Sequence, residues 1–304
     1  HIIMNFLLET LRVLFLSLVL GLEAFVRLFI PPRRKNVSGE LVLLTGAGSG
    51  IGRLMALEFA RLDALLVLWD IEGGNKETDR LIKENKYCTV IVNPNSESFK
   101  NQCNSPLLPC SIKVKREVGD VTILINNAGI VTGKKFMDSP DSLIEKSMEV
   151  NSLAHFWTYK AFLPAMIAGN HGHLVSIASS AGLIGVNGLA DYCASKFAAV
   201  GFAESMGLEL LATGCDGVKT TIVCPFFINT GMFDGANTKW PRLMPILDPD
   251  YACRKIVDAI RREQVYLYMP RSIYIIIGLR NLLPTKVGVL LGEYLGAFNF
   301  MAKF

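Results

Sequence analysis

The sequence predicts a doubly wound parallel α/β sheet carrying an apolar helix at each end. Three observations point there. Short apolar runs alternate with helical stretches through the middle of the chain. Those runs are continuous rather than alternating, as strands buried on both faces read. Two long apolar segments, residues 2–30 and 272–301, flank the alternation. The 304 residues are enough for a sizeable core, and α/β folds of this length often form one unit. Charged residues make up 19% of the chain, against about 25% in a typical soluble domain. The shortfall lies at the two ends, which points to membrane contact rather than to a larger core. A net charge of +4, scattered along the chain, gives no basis for a nucleic-acid partner.

Residues 2–30 form the first element. Their longest uncharged core, Val13 to Leu22, would reach only about 15 Å as a helix, against roughly 30 Å of hydrocarbon. Asn5, Glu9, Arg12, Glu23 and Arg27 fall on one helical stripe, and Glu9/Arg12 and Glu23/Arg27 are spaced to pair. Such a helix suits lying in the membrane interface, or inserting without crossing, better than a full span. A cleaved signal peptide fits less well, because acids flank the apolar run and no small-x-small site follows. Pro31-Pro32 ends the helix, and Arg33-Arg34-Lys35 forms a basic flank expected on the cytosolic side. Residue 1 is His rather than Met, so a start further upstream is expected. This segment, residues 1–35, is read as a membrane-attachment unit.

The alternation follows. Glu40 to Thr45 reads as a buried strand and runs into Gly46-Ala-Gly-Ser49-Gly50-Ile51-Gly52, then a helical pattern from Arg53. Strand, glycines and helix in that order suit a pyrophosphate: the backbone can approach closely and the helix N-terminus offers N–H groups. Ala64 to Trp69 is a second strand ending at Asp70, an acid that can accept both ribose hydroxyls of NAD and repel the extra phosphate of NADP. Ser49 brings no cation for that phosphate, whereas Arg53 could; the other reading of Asp70 is a simple cap. Cys88 to Val92 is a third strand, but Asn93 to Cys110 is aperiodic, and no convincing crossover helix is legible there. Strands follow at Val121–Ile125, His171–Ile177, Lys219–Cys224 and Val265–Tyr268, with helices over about 139–168 and from Tyr192 to about Leu211. Residues 272–283 and 287–301 read as two short helices split at Pro284, interrupted by Arg280, Lys286 and Glu293, and suited to core extension or to packing on a membrane surface.

The chemistry concentrates at Tyr192-Cys-Ala-Ser-Lys196. Residues four apart on a helix share a face. An ammonium beside a phenol favours the phenolate and lowers a pKa of about 10, which makes a base for an alcohol proton. Seven cysteines, an odd number without Cys-x-x-Cys, read as reduced thiols. His171-Gly-His173 reads as a turn entering a strand, so no metal site is expected. The loops at Leu183–Val186, Phe226-Phe227, Met232-Phe233 and Trp240–Leu247 are mostly apolar and hold no basic cluster for a phosphate tail, which favours a lipophilic substrate.

Thr45-Gly-x-x-x-Gly-Ile-Gly52, Asn126-Asn-Ala-Gly129, Ser179 and Tyr192-x-x-x-Lys196 together resemble the short-chain dehydrogenase/reductase family over about residues 38–270. Longer strings, such as His155-Phe-Trp-Thr-Tyr-Lys and Gly188-Leu-Ala-Asp-Tyr-Cys-Ala-Ser-Lys-Phe197, are similar to its membrane-associated, retinol-oxidising branch. The resemblance implies a Rossmann fold over 36–270, with residues 88–112 atypical and apolar helices over 271–304. It implies Tyr192 as acid/base, Lys196 binding the nicotinamide ribose, Ser179 on the substrate oxygen and Asn151 anchoring a relay water. Ser180 competes for the serine role, but the spacing favours Ser179. Gly46, Ser49, Gly50, Ile51, Gly52, Asp70, Asn127, Ala128, Gly129 and Thr230 would hold the NAD cofactor together with Tyr192 and Lys196. The implied activity is NAD-dependent oxidation of a lipophilic alcohol, all-trans-retinol first. A 17β-hydroxysteroid is the alternative substrate. The expected setting is the endoplasmic reticulum or lipid droplets with the catalytic part facing the cytosol, and a homodimer is compatible. One departure stands out: the family's acid after the third strand is replaced by Asn93-Pro94. That departure motivates a different class of reading, a catalytically silent membrane or lipid-droplet protein.

Overall fold

Seven parallel strands form one sheet in the order β3-β2-β1-β4-β5-β6-β7. They are β1 (Leu41–Thr45), β2 (Leu65–Trp69), β3 (Thr89–Val92), β4 (Ile123–Asn126), β5 (Gly172–Ile177), β6 (Val218–Pro225) and β7 (Tyr266–Met269). The computed structural model describes residues 2–70, 75–84, 89–92 and 107–301. Much of the atypical stretch, residues 93–106, lies outside them. Among the described helices are α1 (Ile2–Phe29), α2 (Gly50–Arg61), α3 (Asn75–Glu84), α4 (Leu107–Glu117), α5 (Asp141–Met148), α6 (Ala154–Gly169), α7 (Ala190–Ala212), α8 (Pro249–Arg261), α9 (Ser272–Leu282) and α10 (Thr285–Leu295). The chain divides into two units, residues 1–36 and 37–304.

The first unit is α1. Its 28 residues, at 1.5 Å each, reach about 42 Å. The stretch Ile3–Arg27 has mean hydropathy 1.9 and is long and apolar enough to cross a membrane. Glu23 and Arg27 pair across one turn, so part of the polar stripe is neutralised on the helix itself. An apolar N-terminal helix of this kind fits membrane anchoring.

In the second unit the continuous apolar strands are buried as their composition requires: Val42, Leu43, Leu44, Leu124 and Ile125 are at most 1% exposed. On one face, Phe59 and Met55 of α2 pack with Ile256 and Ile260 of α8. On the other, α6 supplies Tyr159, Phe162 and Met166 against Leu43, Leu124 and Leu174.

Helix α4 fills the crossover for which the sequence shows no convincing helix. Its apolar signal is weak: Val114 is fully buried in the α6-side cluster, while Ile112 is 60% exposed. Docking supplies what periodicity does not. The two histidines read as a turn and strand serve structure. His171 Nε2 lies 3.0 Å from Glu40, and buried His173 meets Thr221 at 2.8 Å.

The topology locates the site. Chain order runs outward from β1 through β2 and β3, then returns to place β4 on the other side of β1. Leu44 pairs with Ile125, so Thr45 and Asn126 end side by side at the C-terminal edge, where such sheets open a ligand crevice.

Candidate active site

The exits of β1 and β4 are tied together. The Thr45 hydroxyl accepts the N–H groups of Asn127 and Ala128 at 2.9 and 3.0 Å. The Asn127 amide donates back to the carbonyls of Thr45 and Gly46 at 3.0 and 3.1 Å. Gly46 adopts φ +65°, and a Cβ there would sit 2.9 Å from Ala128 Cα. A Cβ on Gly52 would lie 2.0 Å from the Gly46 carbonyl oxygen. The loop therefore closes this tightly only with glycine at both positions. Ser49 and Gly50 stay exposed at the start of α2, where the first N–H groups have no intrahelical partner.

Asp70, at the end of β2, accepts the Gly48 N–H at 2.7 Å and so faces the glycine loop. Arg53 does not reach outward as a phosphate-binding cation would. Its guanidinium is held by the Gly48 carbonyl and by Thr78 Oγ1 at 3.2 Å. From the other half of the sheet, Thr230 comes to the same loop: its Cβ lies 3.5 Å from where a Cβ on Gly50 would be. This cradle has the shape and the donors for a dinucleotide.

The second half of the site is built on β5, α7 and the turn preceding α6. That turn, Glu149–Leu153, is wound as a π-helix, which interrupts the α5–α6 rod at Asn151. Fully buried Asn151 accepts the Ile130 N–H at 2.8 Å and donates to the Ile130 carbonyl at 2.9 Å. It also donates to Ser195 Oγ at 3.0 Å, which couples the β4 exit to α7. Lys196 is 3% exposed; its ammonium donates to the Ile177 carbonyl at 3.0 Å and sits 5.7 Å from the centre of the Tyr192 ring. A Cβ on Gly129 would meet Asn151 Oδ1 at 3.3 Å and Lys196 Nζ at 3.4 Å, so these three converge.

Ser179 closes the set. It is buried, accepts the Ala181 N–H at 3.1 Å, donates to the Pro225 carbonyl at 3.5 Å, and pulls the pKa of the Tyr192 phenol down. Ser180, the competing serine, turns into a short 3-10 segment with Ala181 and Gly182. Burial dominates the titration here. It pushes the Tyr192 phenol up, against the pull of Ser179, and pushes Lys196 down to about 8. The sequence spacing suggests a lysine that lowers the tyrosine. In the folded protein burial also acts on the phenol, in the opposite direction.

Several contributors are not legible as site residues in the sequence. Thr45 ties the strand exits. Buried Asp191, beside Tyr192, accepts from Thr132 and, at 3.1 Å, from Ser147, which fastens the start of α7 to α5. Their only signal is a polar residue next to a motif. The C-terminal segment also enters: Ile273 and Phe300 join Tyr192, Phe226, Phe227 and Met244 in one apolar cluster. Phe233 meets Tyr192 edge-on at 5.5 Å. Of the apolar loop residues expected near the substrate, Leu183, Val186, Phe226, Phe227, Phe233 and Met244 do gather here, whereas Met232 and Trp240 are about 40% exposed. Phe227 and Phe233 also line a neighbouring cleft of about 460 Å³, which reaches Asn229 and Asp248 and contains neither Ser179 nor Lys196.

His155 lies one turn beyond Asn151, buried against Ser176 with Nδ1···Oγ 3.3 Å. Burial, then the Lys196 charge, lower its pKa to about 3. An unfolded histidine titrates near 6.5, so between about pH 6.5 and 3 the unfolded chain binds a proton that the folded chain refuses. Stability is lost as pH falls through that window. His155→Gln will therefore show a smaller drop in melting temperature between pH 7 and pH 4 than the wild type. Equal drops in thermal denaturation would show that His155 does not carry this sensitivity.

The family description "short chain dehydrogenase" matches residues 40–240. The chain is 59% identical to epidermal retinol dehydrogenase 2 of Mus musculus, over 95% of this chain and 92% of that protein. It is 56% identical to epidermal retinol dehydrogenase 2 of Homo sapiens, over 99% and 98%. Retinol dehydrogenase 10-B of Xenopus laevis is 42% identical over 100% and 95%. A short chain dehydrogenase/reductase from Burkholderia phymatum, solved in complex with NAD, superposes with TM-score 0.70 at 24% identity, covering 81% of this chain and 94% of its own.

Proposed function

The chain belongs to the short-chain dehydrogenase/reductase family and is an oxidoreductase, and on that premise we propose that it oxidises all-trans-retinol to retinaldehyde with NAD. The observation that carries the reading is the convergence of Ser179, Tyr192, Lys196 and Asn151 beside the glycine loop, under an apolar wall of Phe226, Phe227 and Phe233. The relatives named for retinol dehydrogenation support the substrate. Asp70 turned to the loop, and the Arg53 guanidinium already bonded to the Gly48 carbonyl and Thr78, support NAD over NADP.

The nicotinamide, when bound, supplies the carbon that accepts the hydride. The protein's part is binding, orientation and proton handling. Gly46, Ser49, Gly50, Ile51, Gly52, Asp70, Asn127, Ala128, Gly129 and Thr230 hold the dinucleotide. Ser179 and Tyr192 hold the alcohol oxygen, and Tyr192 takes its proton as it gives up its own phenolic proton. A buried lysine near pH 8 can pass a proton onward, so Lys196 gives that proton a route away from Tyr192. Asn151 keeps α7 fastened to the β4 exit and so keeps Lys196 in place.

Residues 1–35 attach the protein to the endoplasmic reticulum or to lipid droplets, with the catalytic unit in the cytosol. The exposed apolar side chains of α6 and α7, such as Trp157 and Leu208, support a homodimer across those helices. Light scattering of the detergent-solubilised chain tests this, and a one-chain mass rejects it.

The central test is turnover of all-trans-retinol by membranes carrying the chain, with NAD and NADP side by side and estradiol as competitor. Retinaldehyde formed faster with NAD is expected. Preference for estradiol moves the substrate to a 17β-hydroxysteroid, and no saturable NADH binding by folded protein rejects the enzymatic reading.

A further inference from the structure

Helices α9 and α10 are apolar on more than one face. The inner residues of α9, Ile273, Ile276 and Ile277, belong to the cluster around Tyr192. Their outer residues are also large and apolar: Ile275 is 66% exposed, Leu282 81%, Leu290 63% and Tyr294 56%. Leu243 and Ile246 of the neighbouring loop continue the exposed surface. A helix that is hydrophobic all round belongs in an apolar medium, and a contiguous exposed patch of this kind marks an interaction site.

The edge of this surface shows which medium. Trp240 Nε1 donates to the Tyr294 carbonyl at 2.9 Å, and the two rings lie 5.6 Å apart. Lys239 Nζ stands over both rings, at 5.7 and 5.8 Å. Tryptophan, tyrosine and lysine together are the chemistry of a membrane interface: rings at headgroup depth, the ammonium reaching phosphate. Residues 239–246 and 271–301 contain five basic side chains, Lys239, Arg242, Arg271, Arg280 and Lys286, against one acid, Glu293. Arg280 is held by the Leu183 carbonyl, which ties α9 to the loop after Ser179. A second copy of the chain placed here would set these cations against themselves, since a two-fold contact pairs a patch with its own equivalent. An anionic lipid surface complements both the apolar face and the charge.

We propose that α9, α10 and the 239–246 loop dock on an anionic phospholipid surface, with Trp240 at headgroup depth, and that the lipophilic substrate enters between them toward Tyr192. The docking stands independently of α1; the substrate route rests on the dehydrogenase reading above. The test uses the full chain in phosphatidylcholine–phosphatidylserine vesicles with brominated acyl chains. Trp157→Phe retains Trp69 and Trp240, and Trp157→Phe/Trp240→Phe retains Trp69, which is buried. The difference between them is the Trp240 emission. Brominated lipid should quench that emission by half or more relative to unbrominated vesicles. Because α1 can hold the chain on vesicles in either case, vesicle binding alone does not decide the matter, whereas quenching reports where Trp240 lies. Unquenched emission overturns the proposal, and an acidic protein or a second copy covering the face would produce that result. Leu279→Asp/Leu290→Asp, at two exposed positions, should lower the quenching at an unchanged melting temperature. It should also lower turnover of vesicle-dissolved retinol about tenfold while leaving a water-soluble short alcohol unaffected. Quenching without turnover in the wild type would reject the dehydrogenase reading and keep the docking; turnover without quenching would do the reverse.

Discussion

Tyr192→Phe will lower turnover of the proposed substrate, retinol, by about 10²–10⁴-fold, the range that a positioned acid/base contributes. The variant loses one oxygen and keeps the ring. The edge-on contact with Phe233 and the burial in the apolar cluster are therefore retained. Burial holds the Tyr192 phenol above its ordinary pKa, so at neutral pH it is uncharged in the folded and the unfolded chain and the shift carries no stability difference there. Removal of the hydroxyl should leave the melting temperature close to that of the wild type, and NADH binding within about twofold. Turnover and NADH fluorescence titration, measured on the same preparation, check this. Equal turnover in the two proteins would remove Tyr192 from the reaction.

Gly52→Ala will act on the other half of the site, and through the backbone. The new Cβ would lie 2.0 Å from the Gly46 carbonyl oxygen and 2.7 Å from Asn127 Nδ2. Neither neighbour is a free flexible end. The carbonyl belongs to the turn, and Asn127 is fixed by two hydrogen bonds to β1 and the loop. The loop must open, and overpacking of this kind costs about 1–3 kcal/mol. For a unit of this size that corresponds to a fall of roughly 2–4 °C in melting temperature per kcal/mol. The expected signature is a lower melting temperature together with at least tenfold weaker NADH binding. Weakened stability with unchanged NADH affinity would show that the loop does not hold the dinucleotide.

These two predictions draw on different sources. Gly52 is legible in the sequence because strand, glycines and helix follow one another within a dozen residues, and local geometry leaves few uses for that order. Tyr192 and Lys196 are legible because helical spacing puts them on one face. The strands are legible because burial on both faces demands uninterrupted apolar runs. Helix α4 is less so: its buried apolar residue Val114 has meaning only once α6 is there to receive it. Asn151 is visible as a residue, but its π-turn and its grip on Ile130 and Ser195 depend on segments 21 and 44 positions away.

The sequence by itself determined the parallel α/β class, the glycine cradle, the Tyr192–Lys196 pair and the apolar character of both ends, because each rests on short-range periodicity or on the conformational demands of single residue types. Only the tertiary structure decided the rest. It joined Thr45 to the β4 exit, fastened α7 through Asp191 and Asn151, and folded the inner face of α9 onto the cluster around Tyr192. It also added burial at the tyrosine, which raises the phenol. A neighbouring charge can be read from spacing, but desolvation is a property of everything packed around the group, and that exists only once the chain has folded.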